Sequence, residues 1–253
     1  MGEGALPPDP GFIRAAIAAT KGALVAWDPI ARKARWRVEY PTPWNGGTLA
    51  TAGNLVFQGT ALGEFRAYAA DTGKQLWALP VHSGVMAAPS AYAIKGVQYV
   101  AFTTSRGGAW DLTSGYAGLP VKKLPSIPRL VVLKLDGKGR LPAPPANEMV
   151  ALQPPPATAP AAQVAQGKAL FGRFCSTCHG SNAVSGGVTP DLRYSPVLAD
   201  AAAWKSVVID GILHERGMVS FKPVIDEGGA EAVRAYVIGE ANWAKTNDGK
   251  IMK

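Results

Sequence analysis

Both cysteines of this 253-residue chain stand in one five-residue run, Cys175-Ser176-Thr177-Cys178-His179. That spacing is the attachment pattern of a c-type haem. Each thiol can add across a vinyl group as a thioether, the two-residue spacer lets both reach one macrocycle, and the adjoining imidazole is placed to ligate the iron. Two other chemistries use a CxxC pair. A structural zinc takes four Cys/His ligands, and the sequence has no second CxxC and no HxxxH pair. A redox dithiol opens a helix after a strand, whereas this run follows a helical pattern. The expectation is covalent haem and one-electron transfer.

The run must be carried by helices. In Ala161–Phe174 the apolar positions Val164, Gly167, Phe171 and Phe174 recur at three-to-four spacing and predict a helix leading into Cys175. Gly228–Asn242 repeats the pattern with Val233, Tyr236, Val237 and Glu240. A third helix is expected over Val197–Leu213, with Trp204, Val207, Val208 and Ile212 as its buried stripe and Pro196 at its start. Among the methionines Met1, Met86, Met149, Met218 and Met252, Met218 falls in a Gly-Met-Val-Ser-Phe loop after that third helix. It is the expected sixth ligand, since a thioether favours the ferrous state. His214 competes, but lies at a helix end where histidine serves as a cap.

Composition sets wider bounds. Hydrophobic residues reach 47% and charged ones 17%, so a buried core is expected and global disorder is not. No apolar run has the length of a membrane span. The net charge of +8 is uneven: residues 1–162 hold 16 Lys/Arg against 9 Asp/Glu, and residues 163–253 hold 10 against 9. A basic chain can bind nucleic acid, but no basic stripe with interleaved aromatics is present, so none is expected. A solvated basic surface or an acidic docking partner fits better. Met1–Thr20 has early acids, three prolines and no apolar h-region, and does not read as a signal peptide. Thioether haem belongs to the extracytoplasmic side, so a periplasmic protein processed from something longer is expected.

Between Leu141 and Pro160 the sequence turns rich in Pro and Ala, with almost no charge. Residues 141–160 therefore read as a semi-rigid linker, dividing a first domain, 1–140, from a haem domain, 161–253. The first domain repeats itself. A-x-D-x-x-x-x-K-x-x-W ends at Trp36 and A-x-x-x-x-T-G-K-x-x-W ends at Trp77, 41 residues apart, the period of a β-propeller blade. Short β-rich runs fill the interval: Thr48–Thr51, Leu55–Gln58, Phe65–Ala69 and Leu76–Leu79, with Gln98–Thr104 and Arg129–Leu135 beyond.

Residues 41–60, PTPWNGGTLATAGNLVFQGT, together with the tryptophan repeats, the proline tether and the CxxCH segment, resemble the quinohaemoprotein alcohol dehydrogenases. The resemblance runs from about Gly22 to Tyr236. It implies the last blades of a propeller that uses pyrroloquinoline quinone (PQQ) and calcium, followed by an all-α class I cytochrome c domain. The chain would then pass electrons from reduced quinone to haem and on to an external acceptor. An eight-bladed ring needs more chain than residues 1–140 supply. The family's catalytic aspartate, calcium ligands and adjacent-cysteine disulfide lie in earlier blades, so no catalytic residue is assigned here and activity of this chain alone is not expected. The implied partners are the remaining propeller or a redox protein acceptor.

The resemblance also implies site residues. Trp44 and Asn45 would approach PQQ, although Trp44 could instead pack between blades. Pro190 would offer its carbonyl to His179, and Arg193 would pair with a haem propionate or stand at the surface. Gly167 with Phe171, and Val233 with Tyr236, would form the crossing of the first and last cytochrome helices. The other function open to the sequence is a stand-alone cytochrome electron carrier with a β-module for docking.

Overall fold

The computed structural model describes residues 9–145 and 150–251. In chain order its main elements are α1 (Pro10–Ala19), β1 (Gly22–Asp28), β2 (Lys33–Tyr40), β3 (Thr48–Thr51), β4 (Leu55–Gly59), β5 (Glu64–Ala69), β6 (Gln75–Pro80), β7 (Ser90–Ile94) and β8 (Val97–Thr104). Then come α2 (Ala109–Thr113), α3 (Leu119–Lys122), β9 (Arg129–Lys134), α4 (Ala161–Phe174), α5 (Ser176–His179), α6 (Ala201–Val208) and α7 (Glu227–Ile251). They form two compact units. One holds Ala16–Trp110 and residues 119–145; the other holds the described residues through Ala15, Asp111–Gly118 and residues 150–251. Met1, Met149 and Met252, and residues 1–8 of the N-terminal stretch, lie outside the described residues.

The strand unit contains three antiparallel sheets, β1-β2, β3-β4-β5-β6 and β7-β8-β9. The tryptophan repeat is a repeat of structure. Ala26 pairs with Trp36 and Ala67 with Trp77, and in both hairpins the register shifts at the next residue. An added residue at one point re-aims the side chain there. Trp36 shows the use: its Nε1 donates to Ala70 O at 2.9 Å, and its ring covers Gly73. Gly73 has φ +71°, and a Cβ there would meet the ring at 2.6 Å, so this turn requires glycine. Two apolar layers separate the sheets. Leu24, Tyr40 and Tyr68 fill one, while Phe65, Val81, Val85, Val100, Phe102 and Val131 fill the other. The Phe65 and Phe102 rings stack across the second layer, centroids 3.9 Å apart.

Among the described residues the second unit is built from helices and turns, without strands. Its framework is α4 against α7. A Cβ on Gly167 would come within 1.9 Å of Ala232 O and 3.0 Å of the Tyr236 Cβ, so only glycine lets the helices meet there. Phe171 tilts against Tyr236 beside this contact, centroids 5.3 Å apart. Trp204 of α6 is buried and its Nε1 donates to Ala230 O at 2.8 Å, fixing the third helix to the start of α7.

One expectation needs correction. The third helix is shorter than Val197–Leu213. Pro196 opens only a 3-10 turn, and Asp200 caps the helix proper by accepting from the backbone N–H groups of Ala202 and Ala203. Beyond Val208 the chain turns away. Phe221 N–H donates to Val208 O at 2.8 Å, Gly211 has φ +71°, and Ile212 is exposed rather than buried.

Asp111–Gly118 groups with the helical unit, because Gly186 N–H donates to Asp111 O at 2.7 Å and Tyr116 packs edge-on against Trp243. Within the proline stretch, Asn242 Nδ2 donates to Pro155 O at 2.8 Å.

Candidate functional site

Cys175 ends α4 and begins α5. Its carbonyl accepts the N–H groups of Cys178 (3.2 Å) and His179 (2.9 Å), closing a single helical turn. Positions i, i+3 and i+4 of one turn share a face, so local backbone geometry brings both thiols and the imidazole together. Cys175 is buried in the apolar cluster of the helical unit, while Cys178 is exposed. Burial, and secondarily the neighbouring Cys178, pushes the Cys175 thiol up to about 11.

His179 is 8% exposed, and its Nδ1 lies 3.0 Å from Pro190 O. A carbonyl oxygen only accepts, so Nδ1 carries the hydrogen and Nε2 is left as the lone-pair nitrogen. The loop that brings Pro190 back is held by side chains. Buried Ser185 donates its Oγ hydrogen to Thr189 O at 2.6 Å and accepts from Gly187 N–H at 3.2 Å, and Thr189 Oγ1 donates to Cys178 O. Gly180, Asn182 and Ala183 all take positive φ in the tight bend between.

Met218 is half-buried in the loop after the His214–Arg216 turn, and its N–H donates to Leu213 O at 3.3 Å. Ser220 Oγ donates to Ile209 O at 2.5 Å and helps pin this loop to the end of α6. His214 is exposed. Among the described residues no group of three or more His, Cys, Asp or Glu could hold a bare metal ion. Two thiols beside an imidazole with a directed Nε2, and a thioether elsewhere in the same unit, fit an iron porphyrin instead.

Arg193 is not a surface residue. It is 2% exposed, with Nε and Nη2 on the two oxygens of Asp191 (3.0 and 2.9 Å) and Nη1 on Asp248 at 3.1 Å. Its guanidinium thus makes a bidentate pair with the Asp191 carboxylate. In the strand unit Trp44 is 46% exposed. Asn45 braces its own loop: Oδ1 accepts from Ala61 N–H and the Thr42 hydroxyl, and Nδ2 donates to Thr42 O.

Sequence reasoning did not find Ser185 or Thr189, which place Pro190, nor Asn182 and Tyr116, which surround α7. Small polar residues at a glycine-rich bend were the only signal. Glu240 carried a clearer one, a carboxylate standing on the apolar face of a helix.

Two family models match the chain. Residues 17–100 match the PQQ model, described as glucose/ethanol/alcohol dehydrogenase, beta-propeller domain. Residues 162–237 match a cytochrome model described as cytochrome C oxidase, cbb3-type, subunit III. The quinohemoprotein alcohol dehydrogenase ADH IIB of Pseudomonas putida is 48% identical over 225 residues, 87% of this chain and 32% of that protein. The chain carries a propeller portion and a cytochrome c domain of the quinohaemoprotein alcohol dehydrogenase kind. The solved quinohemoprotein alcohol dehydrogenase ADHIIG of P. putida HK5 superposes with a TM-score of 0.86 at 36% identity, over 95% of this chain and 35% of that one. The alcohol dehydrogenase (quinone) dehydrogenase subunit of Acetobacter aceti is 36% identical over 242 residues, 96% of this chain and 32% of that protein. The chain thus spans about a third of the quinohaemoprotein dehydrogenases it matches.

Proposed function

We propose that this chain transfers electrons through a haem c joined to Cys175 and Cys178, with His179 and Met218 as axial ligands, as the C-terminal part of a PQQ-dependent alcohol dehydrogenase. The observation that carries the reading is the one-turn Cys175–His179 arrangement with its imidazole oriented by Pro190 O. Bound there, haem c supplies a one-electron couple. The protein's part is to hold the imidazole tautomer, bury the proximal side and present a soft thioether from the loop at Met218. The close α4–α7 crossing at Gly167 supports a class I cytochrome domain, with 161–253 as its core and 141–160 as the connecting stretch.

The rest of a PQQ propeller is the partner proposed for the strand unit, and a redox protein is the proposed acceptor. In support, exposed apolar side chains remain on its sheets: Val25 and Trp27 on β1, and Tyr92, Ile94, Leu130 and Val132 on the β7-β8-β9 sheet. Trp44, exposed on its loop, is the residue of this chain proposed to approach the quinone, with Asn45 holding the loop. The calcium ligands and catalytic aspartate belong to the blades supplied by the rest of the dehydrogenase. Thioether attachment is chemistry of the extracytoplasmic side, and it supports a periplasmic location; among the described residues no helix is long and apolar enough to cross a membrane.

The test of the ligand set is the oxidised spectrum of the haem-loaded chain. Methionine ligation gives a weak far-red charge-transfer band, which is lost in Met218→Leu and kept in His214→Gln. Persistence of the band in Met218→Leu would remove Met218 from the assignment.

A further inference from the structure

One buried acid has no part in attachment or ligation. Glu240 of α7 is 1% exposed, and among the described residues its Oε2 makes no hydrogen bond of good geometry. Its Oε1 accepts from Asn182 Nδ2 at 3.3 Å, and Asn182 stands three residues after His179 in the bend that follows the CxxCH turn. The Tyr116 hydroxyl, also buried, lies beside Arg193. The titratable and charged groups acting on this carboxyl are Tyr236 on its own helix, Lys168 from α4, Arg193 from the Leu192–Tyr194 turn and Tyr116 from the Gly115–Gly118 turn. Arg193 already binds Asp191 and Asp248, so its charge is largely answered before it reaches Glu240. An anion at Glu240 therefore sits in the interior with the Asn182 amide and the Tyr236 hydroxyl as its donors, and its burial outweighs their help and that of Arg193 and Lys168, an arrangement that ionises reluctantly.

We propose that Glu240 is a redox-linked proton site, taking up one proton when the haem iron held by His179 gains an electron and releasing it when the iron is reoxidised. The proposal rests on the haem reading above. The balance is simple: ferric iron plus an electron gives ferrous iron, and carboxylate plus a solvent proton gives carboxylic acid. Loss of one positive charge at the iron weakens the attraction that favours an anion in this low-dielectric interior, and Asn182 ties the carboxyl to the loop that carries the ligand. Burial, against the opposing effects of Asn182, Tyr236, Arg193 and Lys168, pushes the carboxyl up to about 7, within the range where such uptake is felt. Alcohol oxidation releases protons together with electrons, so a site that binds the two together favours delivery to this domain.

The experiment is a spectroelectrochemical titration of the haem-loaded full chain across neutral pH. The midpoint potential is expected to fall as pH rises around about 7, by no more than about 59 mV for each tenfold drop in proton concentration. Glu240→Gln keeps the volume and an acceptor for Asn182 but cannot ionise, and it flattens the slope. His214→Gln, which removes the exposed imidazole of the same unit, leaves the slope in place. An unchanged slope in Glu240→Gln overturns the proposal. If that variant fails to take up haem, the infrared reduced-minus-oxidised difference spectrum of the unaltered chain decides. A protonated carboxyl band that grows on reduction supports the proposal, and its absence overturns it. A flat potential with an intact His/Met spectrum refutes the proton site alone, whereas failure to bind haem refutes the haem reading and the proton site with it.

Discussion

His179 Nδ1 and Pro190 O meet at 3.0 Å across eleven residues of chain. One contact therefore joins the CxxCH turn to the far end of the loop that follows it, and fixes both the tautomer and the plane of the imidazole. A hydrogen bond to the second nitrogen raises ligand basicity and stabilises the more positive metal state. Ser185 and Thr189 hold the loop that presents the Pro190 carbonyl.

Ser185→Ala removes the donor to Thr189 O and leaves a part-buried carbonyl short of a partner. We expect about 1–3 kcal/mol of lost stability, read from urea unfolding. The Pro190 carbonyl is freer to drift, the Nδ1 bond weakens, and the haem potential rises. A potential unchanged or lowered would separate Ser185 from the ligand.

Gly167→Ala places a methyl against Ala232 O at a distance no packed carbon tolerates. The helices must separate, at a cost of about 3 kcal/mol or more, seen as a lower unfolding midpoint with Phe171 and Tyr236 pulled out of contact. Gly172→Ala, where a Cβ meets nothing within 4 Å, is the control and is expected to be neutral or mildly stabilising.

Arg193→Met leaves Asp191 and Asp248 without their shared guanidinium in a buried setting. Breaking such a network costs about 3–5 kcal/mol. The expected result is a large drop in unfolding free energy while the visible spectrum of any haem-loaded protein keeps its axial-ligand features. A changed ligand spectrum with stability intact would restore a direct role at the haem.

Glu240 predicts a stability profile with a definite sign. Its folded carboxyl, raised to about 7 by burial, holds its proton more tightly than the unfolded one near 4.5. Between those values the folded state binds more protons, so stability falls as pH rises through the window and the loss is complete above it. The difference corresponds to about 3 kcal/mol at most. Glu240→Gln should therefore be little different at pH 5 and clearly more stable than the parent at pH 8, by thermal unfolding at fixed redox state. Equal pH dependence in both proteins would contradict the buried acid.

Much of this architecture was legible in the residues. Ala161–Phe174 is a helix with the expected ends because proline precedes it and its apolar stripe is regular. Strands β3 to β6 follow their β-rich runs because each is bounded by a turn residue. What escaped had physical reasons. Ser90–Ile94 is exposed along its whole length and carries no alternation, so β7 gave no signal. The third helix was overextended because its apolar spacing continues past Gly211, where the backbone turns to φ +71°. Asp111–Gly118 reads as a loop between strands, and only Tyr116 and Gly115 packing against the helical unit show where it belongs. Arg193 could not be seen as buried, because its partner Asp248 lies 55 residues away.

The central claim is that this chain holds its haem by thioether bonds at Cys175 and Cys178. The direct measurement is the mass of the denatured, acid-extracted chain, taken beside its haem-linked peroxidase stain on a denaturing gel. A chain heavier by one haem and positive in the stain, with both signals lost in Cys175→Ser/Cys178→Ser, is the predicted result. A chain from haem-attaching cells that releases its haem on extraction and runs at the mass of its sequence alone would contradict it.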